Sequence, residues 1–115
     1  MADDYSPGDT IVVNYPYRED PTLFKPRPAM IISKVSEKIY CIAKITTKNH
    51  TSRFKGEWID EKSKEYIPMG IGEPSFIFLE QFIKIPSSLI KYPIGKYPDV
   101  EQLFKIHGIV SQEAI

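Results

Sequence analysis

The sequence predicts a mainly β protein: a small twisted β-barrel of short strands, with a C-terminal helix and short flanking helices packed outside. Three observations predict it. Apolar residues fall in short β-branched and aromatic runs bounded by turn residues. Ten Pro and six Gly in 115 residues interrupt the chain too often for long helices. The one clear stretch with helical spacing comes late, near residue 100. A hydrophobic share of 42% is ordinary for a folded chain, and the length suits one domain over residues 1–115 with a single modest core.

Taken in order, Pro7-Gly8-Asp9 leads into Thr10-Ile-Val-Val-Asn-Tyr15, a β-branched and aromatic strand that Pro16 stops. Residues 17–26 carry both charge signs and two prolines and read as an exposed loop. Arg27-Pro-Ala-Met-Ile-Ile-Ser33 forms a second strand, with Pro28 tolerable only near its start. After a turn at Ser36-Glu37-Lys38, Ile39-Tyr-Cys-Ile-Ala-Lys-Ile45 gives a third strand, so the two make a tight hairpin. A polar loop over 46–55 precedes a short strand, Glu57-Trp-Ile-Asp60, and a turn at 62–65. Gly70, Gly72 and Pro74 mark another loop before the strands Ser75–Leu79 and Phe82–Ile85. Pro86-Ser-Ser suits one helical turn. Pro98–Ile106 then sets Val100, Leu103 and Phe104 on one helical face, and Gly108 ends or bends that helix.

Composition excludes several function classes. The single Cys41 removes any intramolecular disulfide or Cys-pair metal site, and its apolar strand reads as housing a buried, inert thiol. His50 and His107 are far apart, with no further ligand at metal spacing, so no metal and no cofactor is expected. No apolar run approaches the roughly 18–20 residues of a membrane helix. The acidic start Met-Ala-Asp-Asp-Tyr is wrong for a signal peptide, so a cytoplasmic protein is expected.

Fifteen Lys+Arg balance fifteen Asp+Glu, and zero net charge argues against a generic DNA-coating protein. The balance is segregated, however. Lys44, Lys48, Arg53 and Lys55, with His50, stand in a stretch free of acidic residues, and Glu57, Asp60, Glu61 and Glu65 follow directly. Thr46, Thr47, Asn49, Thr51 and Ser52 add hydrogen-bonding groups and Phe54 a stacking face, a combination that suits a phosphate backbone and a splayed base. The same residues also suit an ordinary solvated loop. A hairpin turning near residue 36 brings Arg27 and Thr46 to the same open end, where an Arg beside a hydroxyl suits an oxyanion such as a scissile phosphate. Read blandly, Arg27 is a rim charge and Thr46 a strand-end hydroxyl.

Four blocks resemble one family. Gly8-Asp-Thr-Ile-Val-Val-Asn-Tyr-Pro-Tyr17, a loop, and Arg27-Pro-Ala-Met-Ile-Ile-Ser33 resemble the opening of MazF/PemK-type toxins. Ala43-Lys-Ile-Thr46 is similar to their next block, which an Ile/Val-Thr pair closes. Pro74-Ser-Phe-Ile-Phe-Leu-Glu-Gln-Phe-Ile-Lys-Ile85 resembles their Ser-apolar-Leu-acid-Gln block, and Ile94-Gly-Lys-Tyr-Pro-Asp99 the segment leading into their C-terminal helix. The resemblance covers nearly the whole chain in the family's order.

It implies an SH3-like barrel of the MazF/PemK/CcdB type and a homodimer. It also implies the toxin of a type II toxin–antitoxin pair, an mRNA interferase cutting single-stranded RNA without a metal, with the ribose 2′-hydroxyl as nucleophile. By resemblance Arg27 matches the family's catalytic Arg and Thr46 its catalytic Thr, with Thr47, Glu80 and Gln81 as accessory candidates. Lys25, Lys44, Lys48, Asn49, His50, Arg53, Phe54 and Lys55 are the RNA-binding candidates. Some members use an additional Arg and an Asp in the Ser block, where this chain has Phe78 and Glu80. Glu80 is thus open to two roles, an acid/base partner or, with Gln81, an orienting element of barrel and dimer. A cognate antitoxin would lay an extended acidic segment over the basic loop and Arg27. The alternative is a non-catalytic barrel module binding RNA or a protein partner such as DNA gyrase, because the same superfamily includes gyrase poisons.

Overall fold

The computed structural model describes residues 4–16 and 24–109. Along the chain run β1 (Asp9–Pro16), β2 (Phe24–Ser36), β3 (Ile39–Thr46), β4 (Gly56–Ile59), α1 (Tyr66–Met69), β5 (Ser75–Phe78), β6 (Ile83–Pro86), a 3-10 turn (Ser87–Leu89), β7 (Ile90–Lys96) and α2 (Val100–His107). All strand pairs are antiparallel, in one seven-stranded sheet ordered β4-β5-β3-β2-β1-β7 with β6 also on β3. The mainly β expectation holds.

The sheet is not a closed barrel. Among the described residues no pairing joins the end strands β4 and β7. The outer edge of β3 is divided instead: Ile39–Ile42 pair with β6, while Ile45 and Thr46 pair with β5. A strand whose edge serves two partners forks the sheet rather than wrapping it.

Strand β2 begins earlier than its prolines predict. The expected loop lies at 17–26, but its residues 24–26 are already β2, and residues 17–23 fall outside the described residues. Pro26 and Pro28 stand opposite Asn14 and Val12 of β1, whereas pairing with β3 starts only at Ala29↔Lys44. Over 24–28 the strand is therefore an edge on its β3 side, where a missing N–H costs nothing.

Further along, β2 and β3 are covered on both faces, so alternate residues enter different cores. Met30, Ile32, Ala43 and Ile45 pack with Leu103 and Phe104 of α2. Ala29, Ile31, Tyr40 and Ile42 pack on the other face with Ile11 and Val13 of β1. Burial on both sides explains why Ala29-Met-Ile-Ile32 reads as one apolar run without alternation.

Two elements lie where the sequence predicts only connection. Strand β7 contains Pro93 and Gly95, strand breakers that an edge strand paired, among the described residues, with β1 alone accommodates. Gly95 is also a close approach: a Cβ there would collide with the carbonyls of Pro68 and Met69, so α1 can lie directly on β7. The family-like blocks meet at Gly8, whose N–H donates to the Ile31 carbonyl at 2.8 Å and whose carbonyl accepts from Tyr97 N at 2.8 Å. Its φ of +93°, with Val100 Cβ 2.9 Å from where a Cβ would stand, leaves room only for glycine. Helix α2 starts at Val100, and Gly108 (φ 66°) ends it as expected. No helix among the described residues is long and apolar enough to cross a membrane.

Candidate nucleic-acid interface

The hairpin fixes the first part of the site. Strands β2 and β3 pair through Met30↔Ala43 and Ala29↔Lys44, the last pair of their ladder, and Arg27 and Thr46 each lie two residues beyond it at the same end of the hairpin. On the outer sides, Arg27 is opposite Val13 and Thr46 is opposite Phe76, which in turn faces Trp58. Directly opposed residues of antiparallel strands share a sheet face, and residues two apart in a strand do likewise. Lys25, Arg27, Lys44 and Thr46 therefore share the face that carries Ala29, Ile31 and Ile42. The apolar floor of that face ends in exposed cations: Lys25, Arg27 and Lys44 are all exposed, and Thr46 is half-buried. Among the described residues no carboxylate lies within ion-pair distance of any of the three cations.

The loop after β3 folds back onto this end. The His50 carbonyl accepts the N–H groups of Arg53 and Phe54, each at 3.0 Å, and Asn49 Oδ1 accepts Thr51 N–H at 2.9 Å. Thr46 Oγ1 accepts Lys48 N–H at 3.5 Å, the weak limit of such a bond, and its own O–H remains a donor. The His50 ring lies 5.1, 5.7 and 5.8 Å from the rings of Phe78, Phe54 and Phe76, and Phe54 meets Phe78 at 5.4 Å. These are ordinary aromatic packing distances. Lys44 Nζ stands 5.7 Å from the Phe78 ring centroid, a cation–π contact. The segment is thus a built loop anchored on β5. Thr47, Lys48, Asn49 and Arg53 are exposed along it.

Other expected residues are directed elsewhere. Glu80 Oε1 accepts Lys55 N–H at 2.8 Å and Leu79 N–H donates to the Lys55 carbonyl at 2.9 Å, so Glu80 clamps the loop's end. Gln81 is exposed at φ 57°. The Lys55 ammonium donates to the His107 carbonyl at 3.4 Å, at the end of α2. Phe76, which the sequence reads only as a strand residue, and Phe78, read as a strand residue at a position where some family members carry an Arg, are the anchors of the loop. Their signal was two phenylalanines at i and i+2 on one strand face.

Cys41 is half-buried; burial pushes its thiol up, against the opposing pull of Lys84 and a hydrogen bond with Ser33. Among the described residues no group of three or more His, Cys, Asp or Glu is placed to hold a metal ion. A cavity of ≈ 420 Å³ beside the start of α2 is lined by Lys96, Asp99, Glu101 and Lys105, charges of both signs. Comparison with protein-family models and with curated proteins yields no match for this chain.

Proposed function

We propose that this chain is an endoribonuclease of the MazF/PemK type, cutting single-stranded RNA without a metal, and that its forked sheet is a variant of the SH3-like barrel. The observation that carries this reading is one sheet end where Lys25, Arg27 and Lys44 stand exposed and, among the described residues, without ion-pair partners, at the same end as the Thr46 hydroxyl and the His50 loop. Arg27 offers a charged, bidentate donor to a phosphate whose negative charge grows as the 2′-oxygen attacks. Thr46 donates its O–H to a non-bridging oxygen. Lys25, Lys44, Lys48 and Arg53 hold the flanking phosphates, and the loop's aromatic and amide side chains meet an unstacked base. The wider reading is the toxin of a toxin–antitoxin pair, a cytoplasmic homodimer silenced by an antitoxin with an acidic segment.

A second reading, a non-catalytic module that binds RNA or a protein, has one observation in its favour. Phe78 and Glu80, at the positions of the additional Arg and Asp of some relatives, are both used internally, in the aromatic cluster and on the Lys55 N–H. Pulse expression with mapping of RNA 5′ ends separates the two. The ribonuclease reading expects new 5′-hydroxyl ends from wild type, in EDTA as well as in magnesium, and none from Arg27→Ala or Thr46→Ala. Toxicity that survives Arg27→Ala without RNA cleavage would establish the binding reading.

A further inference from the structure

We propose that His50 is the general base that takes the proton from the ribose 2′-hydroxyl, an inference that rests on the ribonuclease reading above. Arg27 and Thr46 supply charge and a hydrogen-bond donor, but neither accepts a proton at neutral pH: a guanidinium stays charged and a threonine hydroxyl is no base there. Histidine is the side chain whose ordinary titration spans neutrality. The sequence has two. His107 is committed elsewhere, its Nε2 2.8 Å from Glu57 Oε2 at the end of α2.

His50 is differently placed. Neither ring nitrogen has a hydrogen-bond partner among the described residues. Its ring is 5.8 Å from that of Phe76, the residue directly opposite Thr46, and opposed side chains begin about 4.5–5.5 Å apart at Cβ. Three rings, those of Phe54, Phe76 and Phe78, pack against the imidazole, while its carbonyl is fixed by two N–H groups. A positioned ring with unspent nitrogens is what a general base requires. The charged groups of the surrounding elements are Lys44 on β3, Lys48, Arg53 and Lys55 in the loop, and Glu80 after β5, with the Lys55 ammonium on the His107 carbonyl. The Glu80 carboxylate is held by Lys55 N–H.

In the step, one imidazole nitrogen takes the 2′ proton as O2′ forms its bond to phosphorus. The P–O5′ bond breaks, its electron pair stays on O5′, and a water molecule protonates that oxygen. The imidazolium returns its proton to the hydroxide so formed. The products are a 2′,3′-cyclic phosphate and a 5′-hydroxyl, with His50 neutral again.

The test measures single-stranded RNA cleavage in EDTA between pH 5 and 9 for wild type, Arg27→Ala, His50→Gln, His50→Phe and His50→Ala. His50→Phe keeps an aromatic ring in the cluster, so its loss of activity is not a packing defect. The proposal expects both His50→Gln and His50→Phe to cut at the wild-type positions with kcat lowered about 10²- to 10⁴-fold and KM little changed. It expects the acidic limb of the wild-type pH profile to vanish in both, and added imidazole to restore part of the rate of His50→Ala. Retention of the acidic limb, or a kcat within threefold of wild type for His50→Phe, overturns the assignment while Arg27-dependent cleavage keeps the ribonuclease reading. Absence of any Arg27-dependent cleavage by wild type overturns both.

Discussion

The Nε2 atom of His107 lies 2.8 Å from Glu57 Oε2, joining the last turn of α2 to β4. The side chain of His107 is only 13% exposed, so loss of its partner leaves a polar ring with little water to replace it. Lys55 adds a second tie through the His107 carbonyl. Glu57→Ala is therefore expected to lower unfolding stability by about 0.5–1.5 kcal/mol, and Glu57→Gln, which keeps an acceptor, by less. Urea unfolding midpoints check this. Equal midpoints for Glu57→Ala and wild type would remove the contact from any account of α2 docking.

Glu80 holds the end of the basic loop by accepting Lys55 N–H at 2.8 Å. Because one carboxylate oxygen does this, an amide oxygen can replace it. Hydrogen exchange at the Lys55 amide is expected to be slow in wild type and Glu80→Gln and markedly faster in Glu80→Ala. Under the ribonuclease reading, cleavage follows the same order, since Glu80 positions the loop without touching RNA. An active Glu80→Ala with an unprotected amide would detach loop order from activity.

The sequence made the central hairpin legible because its signals are local. Two apolar runs flank a short polar turn, and pairing follows from the turn, so the sequence alone sets Arg27 and Thr46 at the same end of the hairpin, two residues beyond the last pair Ala29↔Lys44. Strand β7 was illegible for the opposite reason. Pro93 and Gly95 deny a strand by propensity, and only pairing to β1 on one edge and the approach of α1 make them tolerable. The anchoring of His50 was equally hidden, because it depends on Phe76 and Phe78 arriving from β5, more than twenty residues later in the chain. Glu80 was half legible: its block stood out, but its partner, a backbone N–H of the preceding loop, carries no side-chain signature.

Thr10 is fully buried in β1, and its hydroxyl finds no hydrogen-bond partner among the described residues. Valine has nearly the same shape, suits a strand and carries no hydroxyl to desolvate. Thr10→Val is expected to raise stability by about 1 kcal/mol, read as a higher urea midpoint at unchanged slope. A loss of stability would mean that the hydroxyl is satisfied, for instance by a buried water.

Tyr97 is 7% exposed between β7 and α2, in the same core as the α2 residues Val100, Leu103 and Phe104. Burial first, and then the negative charges of Glu65, Glu57 and Asp99, push its phenol well above the ordinary tyrosine range. The folded state thus holds a proton that the unfolded chain releases at about pH 10. With the folded value raised, the unfolded state binds fewer protons above that pH, so stability falls as pH rises. The contribution is complete below about pH 10 and disappears progressively above it as the folded value is approached. Absorbance titration at the phenolate wavelength is expected to show one tyrosine that ionises only together with alkaline unfolding. Tyr97→Phe, which cannot ionise, should flatten the loss of stability above pH 10. A Tyr97→Phe curve parallel to wild type in that range would show that another group drives alkaline unfolding.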